Sequence, residues 1–433
     1  MEKDVKKLLL FAFLLRIAVA PFSAHLWDMA MIQESLYLTL QGESVYSYVY
    51  EKSVKLQNAT GLPLFFEGYA YPPHLTCFLF PFYLLYLSLG GDPRPIKIES
   101  NAALSLVPEE GFVASLDVFL FLAIIKLPLL LADLIIVYLL SRRSVEIATV
   151  YAFSPYALII SAAWGMFDGL VGLFLLLALI LAERGMPFLS GFSFGLSMVK
   201  PYSLFALPPF LFYFYRHNIG ALAKFSLGFL AGQLPTFAPL LLSPQEFLYT
   251  SFLFHGLRNP SGMTPLRALV VAEDSHLASA LLSAYSVLFL FSYLLLLFLM
   301  FRRGTNLPEG VLVTMSFFLG FNKVIHEQYF LSLFPLLLLY HQKRARTMEL
   351  LYLTYTILNS ALYLLTLPLL FVMDYEVLSL KYEATHYGLG ALAMGALVPT
   401  VFFAFSVINV LMNLKTIMEF LSGEMVCEKS RAL

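Results

Sequence analysis

Three lysines stand at breaks in an otherwise oily sequence: Lys126 in "AIIKLPLLL", Lys200 in "SMVKPYS" and Lys323 in "FNKVIHEQYF". A single lysine in such a place is ordinarily a snorkelling residue, its stem in lipid and its head in water. Three of them at the tips of short hairpins suit another chemistry, because an ammonium is a compact point charge matched to phosphate. The third lysine has His326 and Glu327 close by, which makes its tip the most densely charged. An acid that could act as general base is Asp28 in "HLWDM", directly after the first apolar segment, where partial desolvation raises basicity. The plainer reading of Asp28 is a solvated residue or a cap on the following helix. "YAYPPHL" (69–75) sets Tyr71 and His74 at a rigid helix start. "AAWGMFDGL" (162–170) contributes Trp164, which also fits an interfacial anchor, and a second acid, Asp168.

Composition decides the solvent in which these residues must work. Of 433 residues, 60% are hydrophobic and 13% charged, and the mean hydropathy is +0.79, which predicts an integral membrane protein. A formal net charge of −1 and the lack of any basic tract give no attraction for nucleic acid. No zinc-ligand spacing occurs. Cys77 and Cys427 lie too far apart in kind and position to imply a disulfide framework. The N-terminal "LLLFAFLLRIAVAPFSA" reads as a retained helix and not a signal peptide, since Arg16 interrupts its apolar run. Inside that helix, Arg16 is expected to pair with a helix neighbour or with backbone carbonyls.

Basic clusters set orientation. "MEKDVKK", "SRRS", "ERG", "YRHN", "FRRG" and "HQKRAR" read as cytoplasmic, so the chain must cross an even number of times between neighbouring clusters. From "ERG" to "YRHN" there are about 30 residues, too few for two ordinary spans of about 20. A hairpin of two short helices with Lys200 at its outer tip restores parity. The same reasoning folds the chain back at Lys323, and splitting "VASLDVFLFLAIIKLPLLLADLIIVYLL" at "KLP" adds a third tip at Lys126. Arms of about 13 residues reach only about 20 Å, short of a hydrocarbon core of about 30 Å. The tips should therefore be sunk in a wet cavity open to the outer face, where the lysines would converge.

Conventional spans are expected near 8–24, 74–90, 145–162, 169–182, 220–241, 277–300, 347–372 and 389–414, with boundaries good to about two to four residues. The expectation is thus an all-α, polytopic integral membrane protein with about 12–14 transmembrane helices and short helical hairpins lining an outward-facing cavity. It forms a single transmembrane domain over residues 1–433. A first outer loop at 25–73 carries a helical repeat of Met29, Ile32, Leu36 and Leu40. A second outer loop lies at 243–277 and a cytoplasmic tail at 415–433. Both loops are too long to be mere connectors.

Taken in order, several stretches resemble the polyprenyl-phosphate-sugar-dependent membrane glycosyltransferases of GT-C fold, especially the catalytic subunit of GPI mannosyltransferase I and its prokaryotic relatives. "FNKVIHEQYFL" looks like the Asn-Lys-Val plus Gln-Tyr-Phe-Leu stretch of that subunit. Its inner "HE" is similar to the His-Glu motif of dolichyl-phosphate-glucose-dependent glucosyltransferases. Arg16 followed by Asp28, "QGESVY", "YPP", "KLPLLLAD", "WGMFD" and "VKPY" match more loosely.

The resemblance implies an inverting enzyme that moves a hexose, mannose by the nearest likeness. The donor would be a polyprenyl (dolichyl) phosphate and the acceptor a lipid-linked glycan or glycolipid at the outer, extracytoplasmic face of the membrane. Asp28 would deprotonate the acceptor hydroxyl. Lys126, Lys200 and Lys323 would neutralise the departing phosphate. Tyr71, His74, Trp164, Asp168, His326, Glu327 and Gln328 would contact the substrates. The GPI subunit has Asp-X-Asp in its first loop, whereas here "WDM" holds one acid and the next is Glu34. Neither a divalent metal nor another cofactor is part of the expectation. A transporter or flippase of lipid-linked sugars would show pseudo-symmetric halves, and the first-loop pattern does not recur in the second half. A ligase using a lipid pyrophosphate donor fits the same residues.

Overall fold

The computed structural model describes residues 2–60, 68–96, 116–258, 260–267, 276–363 and 397–424. Parts of both outer loops, most of the loop before Leu116, parts of the spans expected at 347–372 and 389–414, and the tail with Cys427 lie outside the described residues. Among the described residues the chain is helical apart from connecting turns and one parallel pairing of Ser261–Gly262 with Val324–Ile325. Proline stands in the first turn of helix after helix, at Pro155, Pro187, Pro244 and Pro308, where its missing N–H is without consequence. Side-chain caps begin others: Ser144 accepts from Ile147 N, Asn218 from Ala221 N and Asn306 from Glu309 N.

The chain divides into two compact units, each assembled from separated segments. The first comprises Met1–Leu170, Leu234–Arg258 and Thr356–Ala393. Its interior is organised by a buried ion pair: Arg16 Nε donates to Asp133 Oδ2 at 2.8 Å, with both side chains fully buried. Tyr151 donates its hydroxyl to Asp133 Oδ1 at 2.9 Å, Ser161 donates to Oδ2, and Arg16 Nη1 reaches Ala152 O at 2.8 Å. The backbone carbonyl agrees with expectation; the aspartate, from a helix distant in sequence, is an addition. It supplies the charge that a dry interior demands.

The split at "KLP" is overturned. Leu116–Arg143 forms one apolar helix of 28 residues, and the hydrogen-bond ladder crosses the supposed break, with Lys126 N on Leu122 O at 3.2 Å and Leu130 N on Lys126 O at 3.0 Å. Pro128 falls in the first turn of the following segment, where proline is tolerated. No outer tip exists at Lys126.

The second unit comprises Val171–Gln233, Asn259–Tyr355 and Met394–Leu433. Here the chain does fold back at Lys200: Phe194 and Phe210, on opposite sides of it, have ring centroids 5.1 Å apart. Phe318 and Tyr329 approach to 5.8 Å across the Lys323 turn. Pro187–Leu196 and Ile219–Gly232 pack backbone against backbone through Gly191, Gly195, Gly228 and Gly232. A methyl on Gly191 would stand 1.9 Å from Phe225 O, and one on Gly228 2.0 Å from Phe188 O. Such paired small-xxx-small helices are a common membrane device. Leu397–Ser422 continues helical past 415, into the region expected as a tail, because Ile417 and Phe420 are packed in a core with Tyr293, Met300 and Phe317.

Among the described residues, three helices are long and apolar enough to cross a membrane: Leu116–Arg143, Ala280–Arg303 and Thr400–Ser422. The number rises to five if each of two interrupted pairs, Val145–Ala152 with Pro155–Ala163 and Ile219–Gly232 with Leu234–Leu242, is one span. His74–Ser88, Pro187–Val199 and Leu307–Phe321 are apolar but shorter. Ala280–Arg303 turns Leu288, Phe291, Leu294 and Leu295 outward, an apolar face of the kind that lipid covers.

Arg16→Met is expected to strand the Asp133 carboxylate and to lower stability by about 3–5 kcal/mol. The double variant Arg16→Met/Asp133→Leu should regain most of it, as read by thermal unfolding in detergent. A single variant as stable as the double would show that the pair carries no charge penalty.

Candidate active site

In the first unit the acid sits at a helix start. Leu26–Gln41 begins after His25, whose φ of −81° and ψ of 94° turn the chain into the helix. Asp28 therefore lies in the first turn, where the positive end of the helix dipole favours a carboxylate. His25 fixes both ends of this turn. Its backbone N–H donates to Trp164 O at 3.0 Å, and its Nδ1 lies 2.5 Å from Asp28 Oδ2. Tyr71 extends its hydroxyl to Asp28 Oδ1 at 3.4 Å, a long contact. The Asp28 side chain keeps 15% of its surface exposed, so a ligand can reach it.

Aromatic rings stand behind the acid. Tyr71 meets Phe167 edge-on at 4.8 Å, with His255 at 6.1 Å, and His25 lies 5.7 Å from Trp164. The two stretches expected as outer loops pack together here. Tyr46 meets Phe247 at 4.9 Å, Tyr50 meets Tyr249 at 5.3 Å, and His255 Nε2 lies 2.7 Å from Ala70 O. Three of the expected residues are interior: Trp164, His74 and Asp168 are 1%, 0% and 0% exposed. Trp164 is thus a wall against His25 and not an interfacial anchor, and a substrate has no surface of His74 or Asp168 to touch.

Lys126 is also removed from the phosphate set. Its side chain is fully buried, and Nζ donates to Ala20 O at 2.9 Å, Ala162 O at 3.1 Å, Ala163 O at 2.9 Å and to Ser23 O. An ammonium has three hydrogens. Four carbonyls engage them all.

The second unit gathers the other cationic tip. Lys200 lies in an extended break, φ −128° and ψ 132°, between Ser197–Val199 and Pro201–Ala206. It is nearly fully buried, with its ammonium 5.2 Å from the centroid of the Tyr329 ring. Tyr202 stacks on Phe318 at 5.0 Å and leans on Tyr329 at 4.8 Å, while His326 stands edge-on to Tyr329 at 5.6 Å. Lys323 and His326 are partly exposed; Glu327 and Gln328 are buried. Partial burial holds the Lys323 ammonium below the usual lysine range. Lys200 and the "FNKVIHEQYF" turn are thus brought together around one tyrosine.

A strap from the loop expected at 243–277 is stitched to this turn. Ser261 N donates to Lys323 O at 3.0 Å, and Met263 N to Ile325 O at 2.7 Å. Gly262 has φ +75°, and a methyl there would stand 2.0 Å from Ile325 O, so both backbone conformation and space call for glycine.

His25, Phe167 and His255 join the site without having been singled out in the sequence. His25 carries a signal, three residues before Asp28 and so on the same helical face. Phe167 lies inside the "WGMFD" motif, and His255 has no signal of its own. Among the described residues, no group of three or more His, Cys, Asp or Glu side chains is gathered for a metal ion. The chain matches no protein-family model, and no curated protein is significantly similar to it.

Gly262→Ala is expected to unstitch the strap, and limited trypsin digestion should then cut faster at Arg258 and Arg267, which flank it. Unchanged cleavage would mean that the short strand pair is not what holds this loop.

Proposed function

We propose that the chain is an inverting hexosyltransferase of GT-C type. It would transfer a sugar, mannose by the resemblance of its motifs, from a polyprenyl-phosphate donor to a lipid-linked glycan or glycolipid at the extracytoplasmic face of the membrane. The observation that carries the reading is the Asp28 carboxylate, partly exposed, held by His25 and approached by the Tyr71 hydroxyl in front of an aromatic wall. A fixed, partly desolvated carboxylate with one open side is what a general base requires.

In the reaction, an acceptor hydroxyl oxygen attacks the anomeric carbon while its proton passes to Asp28. The bond from that carbon to the phosphate oxygen breaks, and polyprenyl phosphate leaves with the electron pair. Attack opposite the leaving group inverts the centre. Tyr71, with its hydroxyl near the carboxylate, orients it, and its ring with Phe167 offers an apolar face of the type that sugar C–H groups pack against. By the resemblance of its motif, the partly exposed Lys323 is assigned to the negative charge that gathers on the departing phosphate and His326 to the donor. Lys200, 1% exposed against the Tyr329 ring, backs their turn from the interior and leaves the phosphate set. Fixed cations acting where water is excluded are worth more than in solution.

Purified protein given polyprenyl-phosphate-mannose or polyprenyl-phosphate-glucose, with extracted membrane glycolipids as acceptors, tests this directly. Asp28→Asn should express normally and lose about 100-fold or more in turnover. Lys323→Ala should raise the donor KM about tenfold, as loss of a charge-assisted hydrogen bond does. An active Asp28→Asn enzyme would remove the base, and donor kinetics unchanged in Lys323→Ala would remove the phosphate assignment.

A further inference from the structure

The Lys126 bracket stands between two helix ends and the candidate acid. The first helix closes through Ala20–Phe22 into Ser23, and the π-helical turn Leu158–Ala163 closes into Trp164. Helix C-termini leave carbonyls without N–H partners and carry the negative end of the dipole, and a lysine is a common partner for them. Here one lysine serves two helices, taking Ala20 and Ser23 from the first and Ala162 and Ala163 from the second.

Each of those ends leads straight into the site. Asp28 comes shortly after Ser23, and Trp164 directly after Ala163. Two more bonds join the same segments, Ser23 Oγ to Ala163 O at 3.0 Å and His25 N to Trp164 O at 3.0 Å. Gly165 then turns the chain with φ +77°. A methyl on it would stand 2.8 Å from Lys126 Cε and 3.1 Å from Met29 Cε. The lysine stem, the Gly165 turn and the first turn of the acid's helix are therefore in contact.

We infer that Lys126 is a positioning residue for Asp28, fixing the carboxylate through the His25–Trp164 junction without touching the donor. The inference rests on the reading of Asp28 as base. Trp27 and Trp164 are the chain's two tryptophans, so a Trp27→Phe parent leaves Trp164 as the sole emitter at the junction. Against that parent, Lys126→Met is expected to retain helicity, to shift Trp164 emission to the red and to raise its acrylamide quenching. Its kcat for sugar transfer should fall about 10- to 100-fold, as misplacement of a reacting group does, with the donor KM unchanged. A raised donor KM with kcat and Trp164 emission unchanged would overturn the inference and make Lys126 a phosphate ligand. Unchanged values throughout would overturn it as well.

Should Lys126→Met fail to fold, Gly165→Ala presses a methyl on the lysine stem while keeping the charge, and it should give the same pattern; parental fluorescence and kcat in that variant would refute the role. If the parent transfers no sugar from either donor, the functional reading fails by itself. Trp164 quenching in the two variants then still decides whether Lys126 holds the junction.

Discussion

An ammonium group taken wholly out of water dictates the arrangement of everything within its reach. The acceptors that Lys126 finds are main-chain carbonyls, and carbonyls are available without rearrangement only where helices end. The first unit accordingly brings two helix termini to one point, and the direction in which each chain leaves that point is then settled. One leaves toward the helix of Asp28, the other through Trp164 into the Gly165 turn. The Arg16–Asp133 pair obeys the same demand by other means, importing a carboxylate and a tyrosine hydroxyl. Both cations are interior, and both tie the first helix to Leu116–Arg143 and to the segment that ends at Ala163.

Much of this arrangement is legible in the sequence, up to a definite point. Helix positions follow from hydrophobic runs, and caps and prolines mark many of their starts. The reversals at Lys200 and Lys323 follow from the spacing of basic clusters. The same spacing argument fails at Lys126, since a lysine two residues before a proline looks like a turn when only the chain is in view. What keeps that helix intact is the supply of carbonyls from segments remote in sequence, and no local pattern announces it. Asp133 stands within the "KLPLLLAD" motif but could not be matched to Arg16, because ion pairing between distant helices leaves no periodic trace.

For the candidate site, Asp28 and Tyr71 are legible as residue types and are joined in the structure. Trp164, His74 and Asp168 are legible as unusual residues but not as buried ones, because a polar or aromatic residue beside a loop gives no measure of its depth. The glycines of Pro187–Leu196 and Ile219–Gly232 escape notice for a related reason. Small residues in an apolar run look like weak packing until the partner helix is known to carry its own at the matching spacing.

Those glycines have a consequence for motion in the second unit. Where side chains interdigitate, one helix can slide over another as rotamers change. Between Gly191 and Phe225, and between Gly228 and Phe188, main chain faces main chain, and there are no rotamers in that contact to change. Neither helix can slide past the other at these points without the two main chains first parting.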